Sequence, residues 1–242
     1  MSRPDMRIPL FMTEPHPCPY LPGQQARNAV AEAQWSRNMH VASELNRQGF
    51  RRSGEFLYRP QCETCSACQA LRIDVNAFLP SRSQRRLLRR NDDLRIVELG
   101  SIDNDACFEL FRHYINARHA GGSMHPARRE DYQRFLARPP STATGYFGVA
   151  DTEQRLIAVL VYDRLDDGLS DVFSFYDVGE ARRSLGTWMI LASIQRARDL
   201  QLAYVYPGFY IESCPKMTYK SRFSAMEILR HEGWQPFAAS AL

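Results

Sequence analysis

The sequence predicts an α+β fold built from a larger carboxy-terminal core, residues 101–242, and a smaller cysteine-bearing module, residues 1–100. Three observations carry that reading. Cys107, Leu110, Phe111, Tyr114 and Ile115 recur at i, i+3, i+4, i+7 and i+8, the apolar stripe of an amphipathic helix. From Gly145 the pattern changes, and residues 145–149, 156–162 and 169–176 read as strands joined by turns at Asp151-Thr-Glu and Asp166-Asp-Gly, an antiparallel meander. Cys62, Cys65 and Cys68 fall within seven residues, just before Leu71, Ile73 and Val75, which alternate as a half-buried strand does.

Taken in order, residues 1–25 are rich in proline and read as an irregular lead carrying Cys18. Ala29, Val30, Ala33, Met39, Ala42 and Leu45 fit helical spacing, so a helix is predicted over 26–48, stopping at Gly49. Ser53-Gly54 turns a hairpin within 50–59, and residues 94–99 read as a strand. A helix over 103–118 follows, with Cys107 on its core face, then a Gly-rich loop and a short helix bearing Tyr132, Phe135 and Leu136. His113, His119 and His125 have no metal spacing between them. Residues 187–200 form a helix with Trp188, Ile190, Leu191 and Ile194 inward, and 202–206 a strand broken by Tyr206-Pro-Gly. A polar loop over 211–223 precedes the closing segment 226–234.

Between these elements lies Ser81-Arg-Ser-Gln-Arg-Arg-Leu-Leu-Arg-Arg-Asn91. At about 100° per residue, Arg82, Arg85, Arg86, Arg89 and Arg90 share one arc of about 140°. Such a stripe is either a solvated helix face or a track for phosphates. With no acid before Asp92 it repels itself, which favours nucleic acid. No aromatic residue interleaves it, so backbone or shape contact is expected over base stacking.

A chain of 242 residues with 44% hydrophobic content can bury a real core. Its longest apolar run, 156–162, falls far short of the roughly 20 residues of a membrane helix, and Met1-Ser-Arg-Pro-Asp opens no signal peptide. A cytoplasmic protein without a membrane partner is expected, its six cysteines being thiols or ligands. The net charge of +4 alone does not imply nucleic acid. All but two of the 31 basic residues are Arg, from codon usage or for phosphate contact, and the two lysines, Lys216 and Lys220, fall in one segment. A retained pair points to a need for a compact ammonium there, with chance placement the alternative.

The gaps between Cys62, Cys65 and Cys68 let three sulfurs converge on one ion at about 2.3 Å, and Cys18 in Pro-Cys-Pro-Tyr is the natural fourth ligand for zinc or an iron–sulfur centre. A ferredoxin pattern would continue with Cys-Pro where Arg72-Ile73 stands. Reduced structural thiols around a tight turn are the other reading.

Several segments, in order and over most of the chain, carry a resemblance: Cys18-Pro-Tyr-Leu-Pro-Gly-Gln, Gly49-Phe-Arg-Arg-Ser-Gly54, Tyr58-Arg-Pro-Gln-Cys62 with Cys65 and Cys68, Ser81-Arg-Ser-Gln-Arg-Arg, and 206–222. They resemble the aminoacyl-tRNA-protein transferases of the N-end rule, most closely the short bacterial branch that moves leucine. The resemblance implies transfer of leucine, with arginine the alternative, from charged tRNA to the α-amine of proteins beginning with Asp or Glu, marking them for degradation. The strands, loop, helix and strand from 145 onward also resemble the GNAT acetyltransferase core, which keeps an acyl-coenzyme A-dependent N-acyltransferase as a competitor. A tRNA binder without catalysis is a third reading.

Because an aminoacyl ester is already activated, transfer requires no redox cofactor. It requires cations for phosphate and for the acidic side chain, donors for an oxyanion, and an amine that is partly neutral at a pKa of about 7.7–8.0. On that basis Tyr206 or Tyr219 is expected to donate to the oxyanion or the leaving 3′-oxygen. Lys216, Lys220 and Arg222 would meet the acceptor end or the acidic side chain, Arg72 would fork onto that side chain, and Asp177 and Glu212 would be bases or amine anchors.

Overall fold

The computed structural model describes residues 7–122 and 124–237; the first six residues of the expected lead and Ser123 of the expected loop lie outside them. Strands β1 (Leu10–Met12), β2 (His16–Pro17), β3 (Gln25–Ala26) and β4 (Asn28–Ala31) precede helices α1 (Ala33–Ser36) and α2 (Met39–Arg47). The hairpin β5 (Arg51–Ser53) and β6 (Phe56–Pro60) leads through the cysteine loop to β7 (Gln69–Asp74), helix α3 (Arg82–Arg90) and β8 (Arg95–Leu99). Next come α4 (Asp105–Arg118), α5 (Arg129–Tyr132), β9 (Thr144–Ala150), β10 (Leu156–Arg164), β11 (Gly168–Tyr176) and α6 (Leu185–Asp199). β12 (Tyr204–Tyr210), β13 (Met226–Arg230) and β14 (Gly233–Pro236) follow, with short helical turns at Gln133–Ala137, Val178–Arg183 and Thr218–Arg222.

Eight strands make one mixed sheet, ordered β14-β13-β7-β12-β11-β10-β9-β8. Residues 157–162 of β10 are all buried, because both faces of the sheet are covered, and that is why they form an unbroken apolar run. Val159 and Val161 pack with Phe111 and Ile115 of α4, while Ala158 and Leu160 pack with Trp188 and Leu191 of α6. Cys107 is buried in the α4 cluster, as its position in the stripe requires.

Within this sheet β11 and β12 are parallel, and α6 is the crossover that parallel strands need. They pair over only three residues, Gly168 with Tyr204, Leu169 with Val205 and Ser170 with Tyr206. A Cβ at Gly168 would sit 2.5 Å from the Tyr204 carbonyl oxygen, so only glycine allows the approach. Beyond Ser170 the strands part, and both are irregular there. The β10 register passes from Phe173 to Asp171, leaving Val172 as the extra residue, and the β7 register slips between Val205 and Gly208. Bulges of this kind re-aim side chains and end pairing. An antiparallel meander, a helix and a strand parallel to the last meander strand form the acetyltransferase-like core the sequence led us to expect.

The amino-terminal residues form a second sheet, ordered β1-β4-β6-β5, over a small core of Ala29, Ala31, Val41, Leu45, Phe50 and Leu57. The helix expected over 26–48 is corrected here. Ala29 and Ala31 are buried in alternation and pair with Arg59 and Leu57, so this stretch follows period two rather than 3.6. Helix is confined to the short α1 at Ala33–Ser36 and to α2 from Met39, where the Asn38 side chain caps the amide N–H groups of His40 and Val41. Residues 7–25 are likewise less irregular than expected, since they hold β1 and β2. Arg52 ties the module to β10 with two bonds to Asp163, at 2.6 and 3.0 Å, and Trp234 Nε1 donates to the Arg47 carbonyl. Among the described residues no helix is long and apolar enough to cross a membrane.

Candidate active site

Where β11 and β12 part, the first turn of α6 opens onto a cavity of about 580 Å³ lined by Tyr114, Tyr176, Gly186, Lys216 and Tyr219. Ser184 precedes the helix in the left-handed region at φ 49° and offers no side-chain cap. The orphan N–H groups of this turn thus make the cavity's helix end a site for anions. Arg118 and Lys216 add cations, and Lys216 Nζ donates to the Arg118 carbonyl at 3.3 Å. The His119 imidazole has its pKa lowered by burial and then by Lys216 and Arg118.

A groove of about 250 Å³ continues from this cavity, sharing Ser184, Thr187 and Tyr219 with it and adding Arg86, Arg90 and Arg222. Sequence fixes α3 beside the groove. Ser81 and Gln84 form a reciprocal capping box, Leu87 is buried, and Gln84 Nε2 donates to the Arg222 carbonyl. Arg90 and Asn91 donate to the carbonyls of Arg182 and Arg183 just before α6. Arg82, Arg85 and Arg89 are exposed on α3 but do not line the groove. The arginine helix and the lysine loop therefore border one adjoining cavity and groove.

The 3₁₀ turn Thr218–Arg222 supplies three neighbouring hollows. Tyr219 faces the large cavity, Arg222 the groove, and Lys220 a third hollow of about 150 Å³ inside the strand divergence. Asp171, Arg51, Gly208, Tyr20 and Tyr58 line it as well. Gly208, at φ +92°, lets the backbone turn there, and a Cβ on it would come within 3.4 Å of Lys220 Nζ. Lys220 donates to the Phe209 carbonyl at 2.8 Å, and burial lowers its pKa to about 8. Asp171 Oδ1 accepts from Ser193 Oγ at 2.7 Å, while its Oδ2 is buried without a partner; burial lifts this carboxyl to about 7. Burial and the neighbouring Asp171 raise the Tyr219 hydroxyl to about 12. Arg51 is spent on Asn46, Phe50 and Leu71, apart from a buried, unpartnered Nε.

Sequence reasoning missed Asp171, Ser193 and Arg51. One signal was available for the first: an acid in the middle of a strand that is otherwise apolar and small.

Four residues expected at the site stand apart from all three hollows. Tyr206 is fully buried and donates to Asp167 Oδ2 at 3.1 Å. Arg72 is paired with Glu227 and stacked 3.8 Å from the Tyr204 ring and 4.5 Å from that of Trp234. Asp177 caps Gly179 and bonds Arg155. Glu212 is exposed in the turn after β12. Burial or competing partners hold the first three in place, and the structure does not bring these four together with Lys216, Tyr219, Lys220 and Arg222.

Cys18, Cys62, Cys65 and Cys68 line one pocket of about 100 Å³, which shares Tyr20, Tyr58 and Phe209 with the inner hollow. All are free thiols. Cys68 is pushed up to about 12 by burial and by the neighbouring thiols. The donor set suits zinc or an iron–sulfur centre, yet among the described residues no group of three His, Cys, Asp or Glu side chains is arranged to hold one ion. The placement does not fit a metal centre, and no step is assigned to one.

Family models for the arginine-tRNA-protein transferase N terminus and C terminus match residues 16–86 and 106–230. An aspartate/glutamate leucyltransferase of Teredinibacter turnerae is 41% identical over 228 residues, covering 94% of this chain and 93% of its own. Proteins of the same name from Saccharophagus degradans (40%, covering 95% and 97%) and Pseudomonas syringae pv. tomato (42%, covering 94% and 96%) are similar to the same extent. A solved structure, that of L-PGS from Bacillus licheniformis, overlaps 60% of this chain and 47% of its own at a TM-score of 0.43 and 10% identity. With both family models and near-complete relatives in agreement, the chain belongs to the arginine-tRNA-protein transferase family, among the relatives named aspartate/glutamate leucyltransferase.

Proposed function

We propose that the protein transfers leucine from leucyl-tRNA to the α-amine of proteins that begin with Asp or Glu, marking them for degradation in the cytoplasm, where charged tRNA is found. The observation that carries this reading, beside the relatives' names, is that Arg86, Arg90 and Arg222 line a groove joined through Tyr219 to the cavity of Lys216 and the first turn of α6, where the one lining acid, Glu180, is paired with Arg155 and Arg183. A tRNA acceptor end is a run of phosphates that ends in a nucleoside ester, and it calls for such a groove leading into a cavity. The groove arginines hold the acceptor phosphates, and Arg82, Arg85 and Arg89 extend the positive face outside it. The α6 amides and Lys216 take the last phosphate, and the cavity of about 580 Å³ receives the terminal nucleoside and the leucyl group.

Chemistry then needs the amine held against the ester carbonyl with a donor for its oxygen. Tyr219 lies between cavity and groove. Its hydroxyl keeps its proton up to about pH 12, so it serves as that donor across the working range. Incubating the protein with separately charged leucyl-tRNA and arginyl-tRNA and peptides beginning with Asp, Glu or Ala, then weighing the products, tests the proposal. Leucine on the Asp and Glu peptides alone supports it; label from arginyl-tRNA only, or from an acyl-coenzyme A, would overturn it.

A further inference from the structure

We propose that the hollow between Asp171 and Lys220 is the seat of the substrate's first residue: Asp171 Oδ2 receives the α-amine and Lys220 pairs with the acidic side chain. The inference rests on the transfer reading and goes beyond it by assigning the two ends of an amino-terminal Asp or Glu to particular atoms.

The hollow is left unsatisfied in two opposite senses. On one wall Asp171 Oδ2 is buried with no hydrogen-bond partner, although Ser193 holds its other oxygen. Lys220, which lines the same hollow, spends one N–H on the Phe209 carbonyl, and among the described residues it forms no ion pair. An ammonium has three donors, so two remain. A structural acid–base pair would close on itself, because an unpaired buried charge is costly. Here the two feel each other's charge yet form no ion pair among the described residues, and both line a hollow of about 150 Å³ together with Arg51 and its spare, buried Nε. An amino-terminal acidic residue brings a cation to the orphan acceptor and an anion to the orphan donors. An amino-terminal alanine leaves Lys220 unanswered, and a blocked amine leaves Asp171 unanswered.

The position suits the reaction too. The hollow and the cavity share no lining residue, but Tyr219 of the cavity sits in the same turn as Lys220 and its hydroxyl feels the charge of Asp171, so an amine held on Asp171 lies on the side of the hollow toward Tyr219. The amine nitrogen attacks the leucyl carbonyl carbon, the new C–N bond forms, and the bond from that carbon to the ribose 3′-oxygen breaks. Two protons leave nitrogen: the seated ammonium first gives one to Asp171 Oδ2, which frees the lone pair for attack, and the second, shed as the intermediate collapses, ends on the departing 3′-oxygen. Burial has tuned the carboxyl to about 7, close to an amine it must relieve of a proton.

The test crosses protein variants with peptide variants. Binding of an Asp-leading peptide, its N-acetylated form and its Ala-leading form is measured by calorimetry without tRNA, for the wild type, Asp171→Asn and Lys220→Met. In the wild type, acetylation and the Ala replacement should each weaken binding by at least about tenfold. Acetylation should cost nothing further in Asp171→Asn, and the Ala replacement nothing further in Lys220→Met. Penalties as large in the variants as in the wild type overturn the assignment. With leucyl-tRNA added, kcat/KM for the Asp peptide should fall about 100-fold or more in Asp171→Asn, and Asp171→Glu should recover part of it. Ser193→Ala, which removes only a hydroxyl, should move the acid limb of the pH profile upward; an unmoved limb counts against Asp171 even if Asp171→Asn does not fold. Failure of the wild type to use leucyl-tRNA would sink the transfer reading, whereas the binding cycle would still decide the seat.

Discussion

Replacing Asp171 by asparagine keeps the shape and the acceptor for Ser193 while removing a charge, so it should stabilise the unliganded protein in a pH-dependent way. The folded chain holds the Asp171 proton up to about 7, whereas an ordinary aspartate releases it at 3.8. The stabilisation from that proton is therefore whole below about pH 4, is lost as pH rises toward 7, and is absent above it. A separation of about three pKa units, in which the attraction of Lys220 is already contained, corresponds to roughly 4 kcal/mol, and residual solvent access brings the expected gain to about 2–4 kcal/mol. For a domain of this size that is a rise in Tm of roughly 4–16 °C. Thermal melts of both proteins at about pH 5 and pH 8 read it directly, with the gap wide at the higher pH and narrower at the lower. Equal gaps at the two values, or a variant less stable at pH 8, would refute the claim that a strained acid is stored in the hollow. An Asp-leading peptide should raise the Tm of the wild type by more than that of the variant, which keeps only the Lys220 contact and binds more weakly.

Three further outcomes follow from the same geometry. Arg86→Ala with Arg90→Ala should weaken tRNA binding about uniformly across tRNA sequences and flatten the dependence of log K on log salt by up to about two, as read by filter binding at two salt concentrations. Arg52→Met, at a side chain only 3% exposed, leaves Asp163 without its cation, so urea unfolding should report a loss of about 3–5 kcal/mol. Gly168→Ala puts a methyl 2.5 Å from the Tyr204 carbonyl oxygen and should cost about 1–3 kcal/mol by urea midpoint while depressing transfer, because it pushes apart the strands that shape the hollow.

How far the sequence discloses the molecule depends on which periodicities are local. The α4 stripe and the meander announce themselves because each element's burial is written in its own residues. Residues 26–31 mislead because alanine satisfies a helical and a strand spacing equally. Their pairing is decided by β1 and β6, which lie elsewhere in the chain. The arginine helix and the Lys216–Arg222 segment were legible as charge without a counter-charge. Arg72, Asp177 and Tyr206 have the same appearance in sequence, and their partners Glu227, Arg155 and Asp167 are remote or unmarked, so nothing local says that they are already spent.

That contrast gives a physical criterion for separating the two classes of polar residue in this fold. A side chain that closes its valences within the protein holds the sheet together, as Arg52 with Asp163 and Arg72 with Glu227 do. A side chain held in the interior with a valence left open is kept that way against its own stability, and the open valence has the chemistry of what is to come. Asp171 lacks a donor and Lys220 lacks an anion, across one hollow at the point where two parallel strands separate. Where that pairing ends, each strand is also irregular against its other neighbour, β11 at Val172 against β10 and β12 between Val205 and Gly208 against β7. If regular pairing ran on past Ser170, β11 and β12 would close over the gap and leave no room for an incoming residue. Strand divergence, the unmet charges and the choice of an acidic first residue are on this view one feature of the backbone, and a variant that restores the pairing should lose substrate preference and transfer together.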